Sequence, residues 1–507
     1  MASYLRLVNF KNTLTLSSDQ ALAFLVADRF VNHGYIILNG PLTSINKTLS
    51  INILPPTYYY FISLFYFLFR NDIIVSYCYA MLGISSVFII FLLCRISFNT
   101  KTALIASLLF SYSYEMVKYS RNIWEPHAVP CFIIICLFFL MKGIKKKEIK
   151  YFLLSNLSFF ISLMYVSSYL IAIPYFMITF FIYFTVLKSI KKSLLSVLMS
   201  LIIIVIFYLP LFIFEYTKSF LSWRNDLIHL FGDTSYLSFG SINRLLNYIY
   251  FHITTSTDRL FITGNVIMNF TLLVIIIFIS FYIYIFKIKS RINLLIIILV
   301  LLTTGYIASG FIQENPPVTY SSVRLSVFYP LVITLIAVAC NYFVNNIKSP
   351  NIMYFKIIII ILSVIYFYNN TINISSYLIP KKPESYLKPF EIAKYILDQS
   401  DNNYSIYTIS PKDRWNYYSM AIWYALEKIT NSQLVTLNQR FNLIEEKKKL
   451  DTPVIYLICY NYPNNQNIIN DCLNKYIHNN SLNNSKVEKK VIEEDIKDVS
   501  IYKIVKL

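Results

Sequence analysis

Long apolar runs separated by short polar loops dominate the chain from residue 54 to residue 372, and then they stop. A helix needs ~20 apolar residues to cross a bilayer. The candidate spans are 73–94, 102–118, 127–141, 151–168, 169–187, 193–214, 265–286, 292–312, 324–343 and 353–372. The runs 151–168 and 169–187 abut, so the chain must turn near Ser167-Ser168. Segment 54–69 is shorter, opens on Pro55-Pro56 and is rich in Tyr, which predicts a re-entrant or interfacial helix. Upstream, Ala21, Leu22, Leu25 and Val26 recur at helical spacing. Residues 17–37 are therefore predicted as an amphipathic helix lying on the membrane.

From residue 380 the pattern changes. Lys381–Tyr386 is a polar linker, Pro389–Asp398 and Trp415–Glu427 read as helices, and Tyr404–Ile409 and Val454–Cys459 read as strands. The division predicted is a first outer loop over 1–72, a transmembrane helical domain over 73–379, and a small α/β domain over 380–507. No apolar leader occupies Met1–Thr15, and a first helix ahead of the large N-terminal loop is expected but missing.

Composition agrees with a membrane protein. Of the 507 residues, 56% are hydrophobic and 14% charged, against roughly 25% charged in soluble domains. The formal charge of +19 would suit a nucleic-acid binder. Much of the excess, however, sits in the short loops Lys142–Lys150, Lys188–Lys192 and Lys287–Arg291, which is the pattern of cytoplasmic loops. Nucleic acid is thereby set aside as a partner. The same charges place 119–126, 215–264, 313–323 and the C-terminal domain outside. The cysteines form no CxxC and no Cys/His cluster. Cys459 and Cys472 in the tail are expected as two thiols rather than a disulfide.

Polar groups collect at the outer ends of the runs, and four places invite chemistry. Asp19 follows Ser17-Ser18 and suits a general base toward a hydroxyl acceptor; any of Ser17, Ser18 or Asp19 equally suits a helix N-cap. Asn39-Gly40-Pro41 and Leu54-Pro55-Pro56-Thr57-Tyr58-Tyr59-Tyr60 lead into a helix, where Pro is at home. Tyr119-Ser120-Arg121-Asn122-Ile123-Trp124-Glu125-Pro126-His127 joins two apolar runs. Arg121 there suits a phosphate, or an ion pair with Glu125. Glu215 lies where a helix leaves the membrane and reads alone as a solvated terminus. Arg324 opens a later helix, where snorkelling is the plain alternative.

In their order and spacing these features resemble the GT-C superfamily of lipid-phosphosugar-dependent glycosyltransferases, and within it the protein mannosyltransferase-like branch (glycosyltransferase family 39). The resemblance rests on Asp19, on Pro55-Pro56 with Tyr58-Tyr59, on Phe98-Asn99-Thr100-Lys101 with Ala103, and on Tyr119-Ser120-Arg121 with Trp124, over roughly residues 15–345. Gln20 stands where that branch has a second acid, Leu54 where it has His, and Glu125 where Asn or Asp is common.

The resemblance implies an all-α polytopic membrane domain with about 10–11 transmembrane helices, followed by a small extracytoplasmic α/β domain. It implies transfer of a sugar from a polyprenyl-phosphate carrier to a glycan, lipid or protein acceptor on the outer face of the cell membrane. Asp19 would be the base, Arg121 and Arg324 would bind the donor phosphate, and Tyr119, Trp124, Glu125 and Glu215 would support them. A divalent cation is an open expectation, and no other cofactor is implied. The competing readings are a transporter or flippase, whose polar groups would lie at the bilayer midplane, and a non-catalytic assembly subunit.

Overall fold

The fold is described from a computed structural model that carries all 507 residues. The described residues are 1–14, 16–40, 42–44, 51–53, 55–164, 183–217, 220, 329–345, 350–379, 388–399, 404–409, 419–430, 454–460, 486–491 and 499–505. The expected spans 265–286 and 292–312, most of 169–187, Arg324, Leu54 and Cys472 lie outside them. The chain forms two compact units. The first comprises Met1–Phe10, Ile36–Phe61 and Ile73–Leu378; the second comprises Lys11–Tyr35, Ile62–Asp72 and Ile379–Leu507.

The first unit is helical. Its described helices are α1 (Ala2–Leu7), α5 (Asp72–Ser97), α6 (Thr100–Tyr112), α7 (Tyr114–Arg121), α8 (Val129–Lys146), α9 (Ile149–Met164), α10 (Ile190–Thr217), α11 (Tyr329–Asn345) and α12 (Pro350–Leu378). Short helix α2 (Phe10–Thr13) and helix α4 (Thr57–Phe69) run from one unit into the other, and the first residue of α5, Asp72, belongs to the second. A two-stranded antiparallel ribbon of Leu42–Ser44 (β1) against Ile51–Ile53 (β2) precedes α4. Among the described residues, Asp72–Ser97, Glu125–Lys146 and Ile190–Thr217 are long and apolar enough to cross a membrane. Their outward faces stay apolar: Val205 and Ile206 of α10 are 63% and 62% exposed, a state stable only against lipid or another apolar surface.

The turn Phe98-Asn99 works as the sequence leads one to expect of a helix start. The Asn99 side chain accepts the Thr102 backbone N–H at 2.9 Å and caps α6. The run 102–118, however, is not one span. It breaks at Ser113, whose backbone is extended (φ −71°, ψ 121°). Apolar periodicity runs through the break, so the cause is tertiary. Asn370 of α12, fully buried, offers its side-chain oxygen to the Tyr114 N–H at 2.6 Å. Arg6 of α1 takes the Phe110 and Ser111 carbonyls at 3.5 and 3.2 Å. Both orphan ends of the broken helix thus find partners.

The second unit contains α3 (Ser18–His33), the far part of α4, α13 (Lys388–Asp398), α14 (Ser419–Thr430) and the strands β3 (Tyr404–Ile409), β4 (Val454–Tyr460), β5 (Lys486–Val491) and β6 (Val499–Val505). The strand order is β3-β4-β6-β5. β3 and β4 run parallel, with Tyr404 opposite Val454, and α14 lies in the crossover between them. β6 is antiparallel to both its neighbours. Ile392, Ile396, Ile406, Ile422, Leu426, Tyr456 and Ile501 form its core.

Helix α3 differs from the expectation of a helix lying on the membrane. Ala21, Ala23, Phe24, Leu25, Val26 and Ala27 are all 0–1% exposed, so protein surrounds its middle turns. Its apolar stripe was legible, but not which surface would cover it; small Ala residues let α14 approach closely.

Candidate active site

Asp19 and Gln20 open α3 in the second unit. Ser17, not Asp19, is the N-cap: its side chain accepts the Gln20 N–H, and the Gln20 side chain accepts the Ser17 N–H at 3.1 Å, closing a capping box. Gln20, the residue standing at the second acid of the resemblance, thereby caps the start of the helix. Asp19 is half-buried in the first turn, where the positive end of the helix favours a carboxylate.

The remaining described candidates belong to the first unit. Arg121 is the last residue of α7 and is 4% exposed. Its Nη1 donates to the Val8 carbonyl at 2.9 Å and to the Leu5 carbonyl at 3.4 Å. The Phe10 ring lies 5.1 Å from the guanidinium and the Tyr377 ring 5.9 Å, and Tyr377 also hydrogen-bonds it. Burial lowers the Arg121 pKa, with Tyr377 acting the other way. Val8 is the C-cap of α1, so Arg121 answers carbonyls that a helix C-terminus leaves open.

Arg121 and Glu125 do not lie on one continuous helix. α7 ends at Arg121; Asn122 and Trp124 are extended, and Glu125 starts a separate 3-10 turn, Glu125–Ala128. Pro126 within that turn suits a helix start. Glu125 and Trp124 are both half-buried. The Trp124 carbonyl accepts the Tyr79 hydroxyl at 2.8 Å, and its ring meets His127 edge-on at 5.0 Å.

Tyr119 stacks on His127 at 4.2 Å, and the His127 Nδ1–H donates to the Asn122 carbonyl at 2.9 Å. The two rings brace the loop that follows Arg121. Beside them Gly83, Ser86, Ser120 and Cys131 line a cavity of about 20 Å³, room for about one water and far below the size of a sugar site. Tyr119 thus supports the loop rather than opening onto a large pocket. Glu215 is fully buried near the end of α10, which corrects its reading as a solvated terminus. Arg324 lies outside the described residues.

Arg6, Asn370 and Tyr377 were missed by sequence reasoning. Arg6 is completely buried and its pKa falls to about 10 through that burial. Its position in a polar N-terminal stretch gave no signal. Asn370 sits in Tyr-Asn-Asn at the end of an apolar run, a polar interruption that could have marked a buried acceptor. Among the described residues no three His, Cys, Asp or Glu gather as metal ligands, so those residues do not fit a cation held by such a set.

Residues 54–213 match the family described as dolichyl-phosphate-mannose-protein mannosyltransferase. No curated protein matches the chain. Among solved structures, the chain resembles ArnT from Cupriavidus metallidurans bound to undecaprenyl phosphate, at 11% identity and TM-score 0.55, over 99% of this chain and 96% of that one. It also resembles the Archaeoglobus fulgidus oligosaccharyltransferase in the apo form, at 10% identity and TM-score 0.52, over 90% of this chain and 68% of that one. The same enzyme in complex with an inhibitory peptide and a dolichol-phosphate gives 11% identity and TM-score 0.50 over the same shares. The fold is shared with these two proteins, and the chain is a multi-pass membrane protein.

Proposed function

We propose that the chain is a membrane glycosyltransferase that moves a sugar from a polyprenyl-phosphate carrier to a glycan, lipid or protein acceptor on the outer face. The observation that carries this reading is the mannosyltransferase-family match over 54–213, which contains Arg121, inside a fold shared end to end with a carrier-lipid-binding protein. In that reading the membrane domain holds about 10–11 transmembrane helices and the C-terminal segment is extracytoplasmic.

The acceptor hydroxyl attacks the anomeric carbon of the donor. The bond from that carbon to the phosphate oxygen breaks, and the polyprenyl phosphate leaves with the electron pair. Asp19 takes the hydroxyl proton. Arg121 meets the charge on the departing phosphate. Its guanidinium is already oriented by the Val8 and Leu5 carbonyls, and fixed donors of this kind act without reorganising. Arg324 is a second phosphate ligand, Tyr119 and Trp124 brace the loop, and Glu125 and Glu215 balance charge. No step is drawn through a metal, because the described residues offer no such ligand set.

The bonds from Arg121 to α1 favour a second reading of that residue, as a helix anchor alone. The deciding experiment for the enzyme is consumption of radiolabelled polyprenyl-phosphosugar by membranes carrying the wild type or Asp19→Ala. Loss of turnover in Asp19→Ala supports the reading; equal turnover overturns the role of Asp19, and none in the wild type overturns the enzyme.

A further inference from the structure

The second unit holds a polar seam that the reaction itself does not use. Helix α14 presents Tyr424, Glu427 and Lys428 on one face, at the i, i+3, i+4 spacing. Helix α3 presents Phe24, Asp28 and Arg29. Arg29 grips Glu427 with two bonds, Nε to Oε2 at 3.3 Å and Nη2 to Oε1 at 2.5 Å, and both side chains are almost completely buried. Asp28 Oδ1 accepts from Lys428 at 3.1 Å, from the Tyr66 hydroxyl at 2.6 Å and from Asn32 at 3.0 Å. Lys428 also bonds the Tyr66 hydroxyl. Arg70 donates to Asn32 at 3.0 Å, and Tyr424 donates to Asp72 at 2.5 Å.

The order of charges decides what this seam does. α3 reads Asp28-Arg29 and α14 reads Glu427-Lys428. In the observed register acid meets base twice. A slip by one residue in one direction would set Asp28 against Glu427, and in the other Arg29 against Lys428, in a place where like charges are costly. The seam therefore selects one placement of α14 on α3. A two-point grip near one end of a straight helix fixes the direction of its other end, and that end carries Asp19.

From this we infer that Arg29, Glu427, Asp28 and Lys428 are positioning residues: they clamp the C-terminal domain onto α3 and hold Asp19 at its working angle. The inference rests on the proposed role of Asp19, but the clamp can be measured without it. The test uses the full chain in lipid nanodiscs as Arg29→Glu, Glu427→Arg and the doubly reversed protein. Amide exchange across residues 18–33 is read beside turnover and KM. Each single reversal is expected to speed exchange in α3 roughly tenfold and to lower kcat about tenfold or more with KM little changed, while the double reversal restores both. Unchanged exchange in the single variants overturns the clamp. Faster exchange with unchanged kcat overturns the positioning role. A wild type without transferase turnover removes the enzymatic reading and the positioning role, and the exchange arm still decides the clamp. Should the reversals fail to accumulate, Glu427→Gln keeps the shape, removes the charge and carries the same comparison.

Discussion

Arg121 closes the end of α1 by donating to the Val8 carbonyl at 2.9 Å. The guanidinium proposed to meet a phosphate is thus also the tie between α7 and the N-terminal helix. The two roles separate by substitution. Lysine keeps the charge but offers no planar fork. Arg121→Lys and Arg121→Ala are both expected to lose turnover by about tenfold or more, which is ~1.4 kcal/mol or more of barrier. Arg121→Ala should in addition speed amide exchange over residues 2–8. Near-normal turnover in Arg121→Lys would leave the anchor and remove the phosphate role.

Gly83 of α5 packs against Ser120 of α7. A Cβ there would sit 2.2 Å from the Ser120 Cβ and 3.2 Å from Arg6 Nε. Both neighbours are buried, so neither can swing into solvent. Gly83→Ala is expected to destabilise by about 1–3 kcal/mol, the usual cost of overpacking. Ser120→Gly removes the clashing atom, so the double variant should recover part of the loss despite the helix cost of glycine. Thermal unfolding in detergent measures both; an additive double variant would show that the contact is not the cause.

The capping box makes a distinction at the start of α3. Ser17→Ala should cost about 1 kcal/mol and fray residues 18–21 in amide exchange. Gln20→Glu should leave the helix intact, because Glu closes the same box. Equal fraying in Ser17→Ala and Gln20→Glu would contradict this account.

The basic loops predict an orientation. With the reactive native cysteines removed, Gly240→Cys should label with an impermeant maleimide in intact cells, and Lys146→Cys only after permeabilisation. The opposite pattern would put the proposed site on the wrong face.

Local chemistry made several elements legible in advance. Asn99 caps α6 because a short acceptor side chain meets the first free N–H of a helix wherever it stands. The apolar length of 73–94 marks α5 because burial in lipid demands it. The order of Asp19, Tyr58-Tyr59 and Tyr119-Ser120-Arg121 pointed to a family because a motif is a property of the sequence itself. What the sequence could not state was which distant group answers each open one. The break at Ser113 exists because Asn370 and Arg6 meet the exposed ends of α6 and α7 from elements more than 100 residues away. Helix α3 is covered by α14 for the same reason. Periodicity records that a face must be covered; only the tertiary structure decides by what, because that choice depends on shape and charge matching between segments the chain brings together from far apart.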